Sequence, residues 1–521
     1  MNAMVSMKRI ARAYIGAVLL PLLACTTTAD PVRHRAVRSV ANAEWARGSV
    51  FYEIFVRSFY DSNGDGIGDF NGLTSKLDYV GDLGATAIWL MPVFESPSYH
   101  GYDTTDYETI ERDYGSNADF QHFLDEAHKR GIRVIVDFVM NHTSSDHPWF
   151  IDSASSTASL KRNWYVWNAT NPGWTQPWGG NFPTWYLKNG AYYYAVFWSG
   201  MPDLNYRTPE VKAEMFRLGR LWLSRGVDGF RLDATRYLIE TGPGAGQADT
   251  PETHQMLKDF ASDVARTKAD AYVVAENTVD TQKLATYFDD GLSNFNFPLA
   301  SAILDSVNSG NGDRIRSTLR DMIAAYPSGV IDAPFLTNHD HIRIATQLGN
   351  DSGKLRDAAA ILLTLPGAPF IYYGEEVGLQ NGPGSEDEWK RTPMPWTPSG
   401  GFSTATPWHA YAPGLASSNV AVESGDPRSL LSYYRNWIAA RKRSNALLKG
   451  NIKPIDSPAQ VLAFIRDSGD ERVLAAHNLG TTPANLQVTG ALEPILEDDG
   501  VSSAGGIIVL PAHSSGAWRV R

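Results

Sequence analysis

Cysteine is all but missing: Cys25 is the only one in 521 residues. No intrachain disulfide is possible, so stability has to come from packing and, at oxygen-rich sites, from metal. Beyond the first 25 residues no apolar run is long enough to cross a bilayer as a helix. Charge is modest, at 20% of residues, and its balance of −11 argues against nucleic acid or an anionic membrane surface as partner. No repeat of 20–50 residues and no low-complexity block is visible. Apolar residues, in contrast, reach 43%, with 15 Trp and 23 Tyr, which supplies an ample core. The length exceeds one ordinary domain and suits a large α/β barrel with a smaller companion.

The start of the chain reads as an export signal. Lys8, Arg9 and Arg12 lead into AYIGAVLLPLLA, an apolar stretch too short to span a membrane. It closes on Leu22-Leu23-Ala24-Cys25, which resembles the lipobox of bacterial lipoproteins, where the cysteine is lipidated and becomes the first mature residue. The expectation is a signal over 1–25, a tether over 26–44 and an exported protein whose only membrane contact is a lipid on Cys25. Thr26, rather than Asp, after that cysteine points to the outer membrane. Ordinary cleavage after Ala29, giving a soluble secreted protein, is the alternative.

Strand-like apolar runs fall at Val50–Phe59, Ala85–Phe94, Val134–Met140, Asp228–Asp233, Tyr272–Ala275, Ser293–Phe297, Val330–Leu336 and Phe370–Tyr373. Helix-like stretches separate most of them, among them Asp119–Arg130 with Gly131 as a stop, Glu210–Arg225 and Pro251–Lys268. Strand alternating with helix predicts a parallel sheet, and eight such units predict a closed (β/α)8 TIM barrel, here over 45–449. The long stretch between the third and fourth runs is rich in Trp, Tyr, Asn, Pro and Gly and predicts a small inserted domain over 143–205. From 450 to 521 short alternating runs with turn signals predict a C-terminal antiparallel β-domain, a β-sandwich.

Four motifs follow one another in fixed order: Asp137-Phe138-Val139-Met140-Asn141-His142, Gly229-Phe230-Arg231-Leu232-Asp233-Ala234, Val274-Ala275-Glu276-Asn277 and Phe335-Leu336-Thr337-Asn338-His339-Asp340. Each is an apolar run that ends in polar groups, as a buried parallel strand does where its carboxyl end opens into a site. Three supply a carboxylate: Asp233, Glu276 and Asp340. Cleavage of a glycosidic bond with retention needs an ionised nucleophile and a protonated acid about 5–5.5 Å apart. Arg231 leaves its strand on the same face as Asp233 and is expected to lower its pKa. Glu276 follows the apolar YVVA, where burial would hold it protonated. Taken singly, each residue could equally be an ordinary capping or ion-pairing group at a barrel top. The aromatics crowded between Trp149 and Trp198 suit core packing or the apolar faces of sugar rings.

These four motifs resemble the best-known sequence regions of the α-amylase family of glycoside hydrolases, and the likeness runs over nearly the whole chain after its start. The resemblance implies an α-retaining mechanism with Asp233 as nucleophile, Glu276 as acid/base and Asp340 as the carboxylate that grips sugar hydroxyls. It implies substrate contacts at His142 and His339, at Tyr102 and Asp103 within His100-Gly101-Tyr102-Asp103, and at Arg391 within Arg391-Thr392-Pro393-Met394-Pro395-Trp396. Arg231 would orient the nucleophile. Met201-Pro202-Asp203-Leu204-Asn205 resembles the segment of a group intermediate between oligo-1,6-glucosidases and neopullulanases. Ala234 follows the nucleophile where relatives specific for α-1,6 bonds carry valine, so α-1,4 bonds of starch or maltooligosaccharides are expected. Arg236 and Tyr237 depart from the Lys-His pair of many α-amylases. Arg236 is expected to take over the leaving sugar; Asn141 matches one ligand of the family's shared calcium site, and whether Tyr237 supplies the carbonyl that the histidine gives there is left open. An α-glucosidase, a trehalose synthase-like transglycosylase and a non-catalytic glucan-binding lipoprotein are the alternatives.

Asp61-Ser62-Asn63-Gly64-Asp65-Gly66-Ile67-Gly68-Asp69 alternates side-chain oxygens with glycines, a spacing that suits Ca2+. Gly72 stands where an EF-hand needs glutamate, so this is no helix–loop–helix hand. The family resemblance implies Asp61, Asn63, Asp65, Asp69 and the Ile67 carbonyl as ligands.

Overall fold

The computed structural model describes residues 43–521; the expected signal, Cys25 and nearly all of the tether lie outside the described residues. Eight parallel strands form one sheet: β1 (Phe51–Ile54), β2 (Ala87–Leu90), β3 (Arg133–Phe138), β4 (Gly229–Leu232), β5 (Tyr272–Ala275), β6 (Ser293–Phe295), β7 (Asp332–Ala333) and β8 (Phe370–Tyr372). They pair in chain order from β1 to β7, and β8 returns beside β1 with Phe51 opposite Phe370. Phe335, just past β7, bridges Phe370 and closes the (β/α)8 barrel.

The strands are buried on both faces, which is why they read as apolar runs without alternation. One set of side chains meets the helices outside; the other fills the interior, where Phe51 stacks on Phe370 with centroids 4.3 Å apart. Period two then places Glu53 above Phe51, Asp137 above Ile135 and Arg231 above Gly229. The interior is therefore apolar below and ionic at its carboxyl end. Gly229 is required: its φ is +151°, and a Cβ there would stand 1.8 Å from the Tyr272 carbonyl oxygen.

Helices occur at Asn117–Lys129, Pro209–Ser224 and Pro251–Thr267, within a residue or two of expectation. A capping box joins Ser116 to Asp119, and Gly131 follows at φ +71°. Several strands are shorter than expected, β2 among them at Ala87–Leu90, and for two of them the cause is visible. β1 stops at Ile54, and Val56–Phe59 turns helical as the chain bends over the barrel mouth. β7 keeps only Asp332–Ala333, because Pro334 has no N–H to give the ladder.

Between β3 and β4 stand a helix, Pro148–Ser155, and an antiparallel sheet of Trp167–Asn168, Ala191–Tyr194 and Trp185–Lys188. Bridges His142 to Asp203 and Tyr165 to Leu204 fasten this insertion to the end of β3. The C-terminal part comprises a five-stranded and a three-stranded antiparallel sheet around Val461, Leu474, Ile508 and Trp518. Among the described residues no helix is long and apolar enough to cross a membrane.

Candidate active site

A pocket of about 440 Å3 opens at the carboxyl ends of the strands. Asp233, Glu276, Asp340, Tyr102, His142 and Arg391 all line it. Arg231, His339 and Asp103 lie just behind its wall and are buried. The chemistry-bearing residues named from sequence, drawn from separate strands, thus converge on one place.

Arg231 is the hub. Its Nη1 donates to Asp233 Oδ1 at 2.7 Å and to both oxygens of Asp137, at 3.0 and 2.9 Å. Its Nη2 donates to Glu276 Oε2 at 2.7 Å. Neighbouring nitrogens of one planar cation therefore hold Asp233 and Glu276 side by side. Ala234 occupies left-handed backbone at φ +51°, and its N–H reaches Glu276 Oε2 at 3.3 Å.

Asp340 stands across from this pair and is the most open of the three, with 43% of its side chain exposed against 12% for Asp233 and 20% for Glu276. Arg391 Nη2 donates to Asp340 Oδ1 at 2.8 Å, and Arg391 Nε to the His339 carbonyl at 3.1 Å. The Tyr102 hydroxyl sits 2.5 Å from His339 Nε2 and donates to Asp137 Oδ2 at 3.1 Å. Asp103 accepts hydroxyl hydrogen bonds from Ser96 and Ser98, both on Oδ1. His142 Nε2–H donates to the Tyr102 carbonyl at 3.2 Å.

Electrostatics follow from depth and from these pairs. Burial raises Glu276 above the usual carboxylate range against the pull of Arg231, as expected for an acid. The expectation for Asp233 is corrected: burial, helped by the Asp340 charge, outweighs Arg231 and raises it too. Asp340 is buried in part, yet the charges of His339 and Arg391 hold it below the ordinary value. Burial pushes His142 down to about 4, so it is neutral.

Sequence reasoning overlooked Asp137 and Glu53, which complete the ionic network from below, although a charge inside an apolar strand is a visible signal. It marked the aromatic crowd as fit for sugar rings but singled out none of the residues that form the wall. Trp178 stacks against Phe197 at 5.4 Å, and Tyr237 meets both edge-on at 5.3 and 5.7 Å. Trp198 joins this lining, which apart from Tyr237 comes from the region where aromatics crowd in the sequence. Arg236 lines the pocket, but Asp249 takes its Nε and Nη2 at 2.8 Å each and the Thr278 carbonyl takes Nη1 at 2.7 Å. That geometry ties the chain after β4 to the chain after Glu276 and engages the guanidinium expected for the leaving sugar.

The oxygen-rich loop follows β1. Asp61 accepts N–H groups of Asn63, Gly64 and Gly66, Asp65 accepts that of Ile67, and Asp69 accepts those of Ser62 and Gly72. Its donors are carboxylate, amide and carbonyl oxygens, a chemistry that fits Ca2+ and not a soft metal. Among the described residues no three acidic, His or Cys side chains stand close enough to hold a metal alone, so Asn63 and the Ile67 carbonyl would have to complete a site. Near β3, Asn141 Nδ2 donates to Asp203 Oδ2 at 3.0 Å, which leaves Asn141 Oδ1 buried without a partner.

Fold and pocket together define a barrel enzyme with three carboxylates gathered in one pocket. A family model for the alpha amylase catalytic domain matches residues 53–450. Alpha-amylase 3 of Dictyoglomus thermophilum is 40% identical over 444 residues, 84% of this chain and 86% of its own. A trehalose synthase of Pimelobacter sp. is 36% identical over 514 residues, 85% of this chain and 89% of its own. The crystal structure of an α-amylase from H. orenii matches with a TM-score of 0.84 at 36% identity, covering 91% of this chain and 100% of that one. The chain belongs to the α-amylase family of glycoside hydrolases.

Proposed function

We propose that the protein is a retaining α-glucan hydrolase acting mainly on α-1,4 bonds of starch fragments or maltooligosaccharides. One observation carries the reading: Arg231 holds Asp233 and Glu276 on adjacent nitrogens, with Asp340 facing them in the same pocket. Asp233 attacks the anomeric carbon while Glu276 gives its proton to the leaving oxygen. Glu276 then takes a proton from water, which attacks the same carbon and frees Asp233. Two buried carboxyls sharing one guanidinium titrate as a pair, both are raised by burial, and the reaction needs the one proton between them on Glu276. Asp340, charged between His339 and Arg391, grips hydroxyls of the distorted sugar. His142, Tyr102 and Asp103 complete that subsite, Asp103 by positioning the Ser96–Ser98 turn.

Ala234 after the nucleophile and the likeness to an α-amylase support the α-1,4 preference. The likeness to a trehalose synthase supports a second reading, transfer of the glucosyl group to sugar instead of water. Products from maltoheptaose, pullulan, isomaltose and sucrose test both. Shortened maltooligosaccharides with an α-configured first product support hydrolysis, trehalose from maltose supports the isomerase, and no turnover at all would leave a glucan-binding protein.

We also propose that Ca2+ occupies the Asp61–Asp69 loop and that the mature protein is exported and lipid-anchored through Cys25. Lipid on an N-terminal Cys25 peptide is the expected mass-spectrometric result. A soluble protein that begins at Asp30 would replace the anchor with ordinary secretion.

A further inference from the structure

Glu53 is a charge that this mechanism does not use. It is the third residue of β1, faces the barrel interior and is 1% exposed. A carboxylate at that depth requires a partner. Glu53 Oε1 lies 2.6 Å from His339 Nδ1 and accepts the His339 backbone N–H at 3.4 Å. Nδ1 therefore carries a hydrogen. Across the ring, Nε2 meets the Tyr102 hydroxyl at 2.5 Å and Asp340 Oδ2 at 3.2 Å. The Tyr102 hydroxyl has one proton, within reach of both Nε2 and Asp137 Oδ2 at 3.1 Å. Asp340, held ionised, can only accept, so the hydrogen between it and Nε2 belongs on Nε2.

We propose that Glu53 is a positioning residue that holds His339 as a doubly protonated imidazolium, so that Nε2–H is presented to Asp340 and to the sugar beside it. The proposal rests on the hydrolase reading for its consequence, not for the state of the ring. Groups around the pair act in both directions. Asp340, Asp137 and Asp233 favour the cation, whereas Arg231 in the pocket floor and Arg391 on the His339 carbonyl oppose it. Glu375 and Tyr372 lie behind Glu53 in the chain that contains β8. Burial disfavours an imidazolium, yet the Asp340 and Glu53 charges bring His339 up to about 9. A cation fixed against Asp340 costs no reorganisation when charge develops on the sugar.

Histidine-labelled NMR of the wild type should show both His339 ring nitrogens protonated through pH 7.5. E53Q keeps an oxygen for Nδ1–H but removes the charge, so His339 should lose its proton about one pH unit lower or more. The alkaline limb of kcat should move with it, and at pH 8 kcat should fall more than KM rises. E53D, which retains the charge, should recover most of the limb. In an H339N background, E53Q should leave the profile where H339N alone sets it. A neutral His339 in the wild type at pH 7, or an E53Q limb superimposed on the wild type, overturns the proposal. If E53Q does not fold, the wild-type titration decides. An absence of glycosidase activity would defeat the hydrolase reading but leave that titration intact.

Discussion

Trp408 lies flat against Tyr99, with ring centroids 5.4 Å apart and planes 25° apart. The contact joins two regions that the sequence keeps separate. The Trp408 backbone N–H donates to the Gly66 carbonyl in the oxygen-rich loop at 2.8 Å, and Ser403 donates to Asp61. The Tyr99 hydroxyl accepts from Arg391 Nη1 at 3.3 Å, and Arg391 grips Asp340. Calcium in the loop would thus stiffen one wall of the pocket. Stripping it should lower the melting temperature, since a ligand at a hundred times its Kd adds about 2.7 kcal/mol to the folded state. KM should rise in parallel as Arg391 loosens. A native protein that carries no metal, with a melting curve indifferent to added Ca2+, rules the site out.

Asp233→Asn should abolish nearly all turnover with little loss of fold or glucan affinity, because the nucleophile's charge serves the transition state and the covalent step. Glu276→Gln should do the same for natural substrates but spare part of the first step when the leaving group needs no proton. With such a substrate the variant should accumulate a glycosyl ester on Asp233, visible as added mass on its peptide. Near-normal activity in Asp233→Asn, or a β-configured first product from the wild type, contradicts the assignment.

The barrel was legible because parallel strands buried on both faces leave apolar runs, and period two already paired Arg231 with Asp233. The depth of that pair was not legible. Neighbouring charge can be read from a sequence, but desolvation depends on everything packed around it, so the direction expected for Asp233 was wrong. Likewise Tyr99 stands far in the chain from Arg391 and Trp408 and meets them only once the segment after β8 folds across the mouth. Pro334, in contrast, sat in plain view inside the run Val330–Leu336, and its missing N–H accounts for the short β7.

Ala234 offers a test of linkage choice with a stability readout. Its φ of +51° is a region where β-branched side chains are strained. Ala234→Val should cost about 1–2 kcal/mol, whereas Ala234→Gly should hold or gain stability. Ala234→Val should also raise the isomaltose-to-maltose activity ratio, as the added methyl groups narrow the pocket beside Glu276. An unchanged ratio would remove the basis for reading α-1,4 preference from this position.

Acid should unfold the protein through its buried histidines. His477 is fully buried, with Nδ1 2.9 Å from Ser515 Oγ and Nε2 3.1 Å from Thr364 Oγ1, and it joins the C-terminal sheet to helix Ser352–Thr364. Burial pushes it down to about 3, and His142 and His147 to about 4. Each folded-state value lies below that of a free imidazole, about 6.5, so the unfolded chain takes up protons that the native one refuses. Stability is therefore unaffected by these groups above about pH 6.5, declines as pH falls from there towards 4, and levels off below the folded values. His477→Gln withdraws one proton from that balance. Its free energy of unfolding, measured by denaturant titration at several pH values, should fall less steeply than that of the wild type between pH 6 and 4.5. The slopes should differ by up to about 1.4 kcal/mol per pH unit, the worth of one proton. Parallel slopes would mean that His477 charges as readily in the fold as outside it, and that its two hydroxyl partners rearrange to accept the imidazolium.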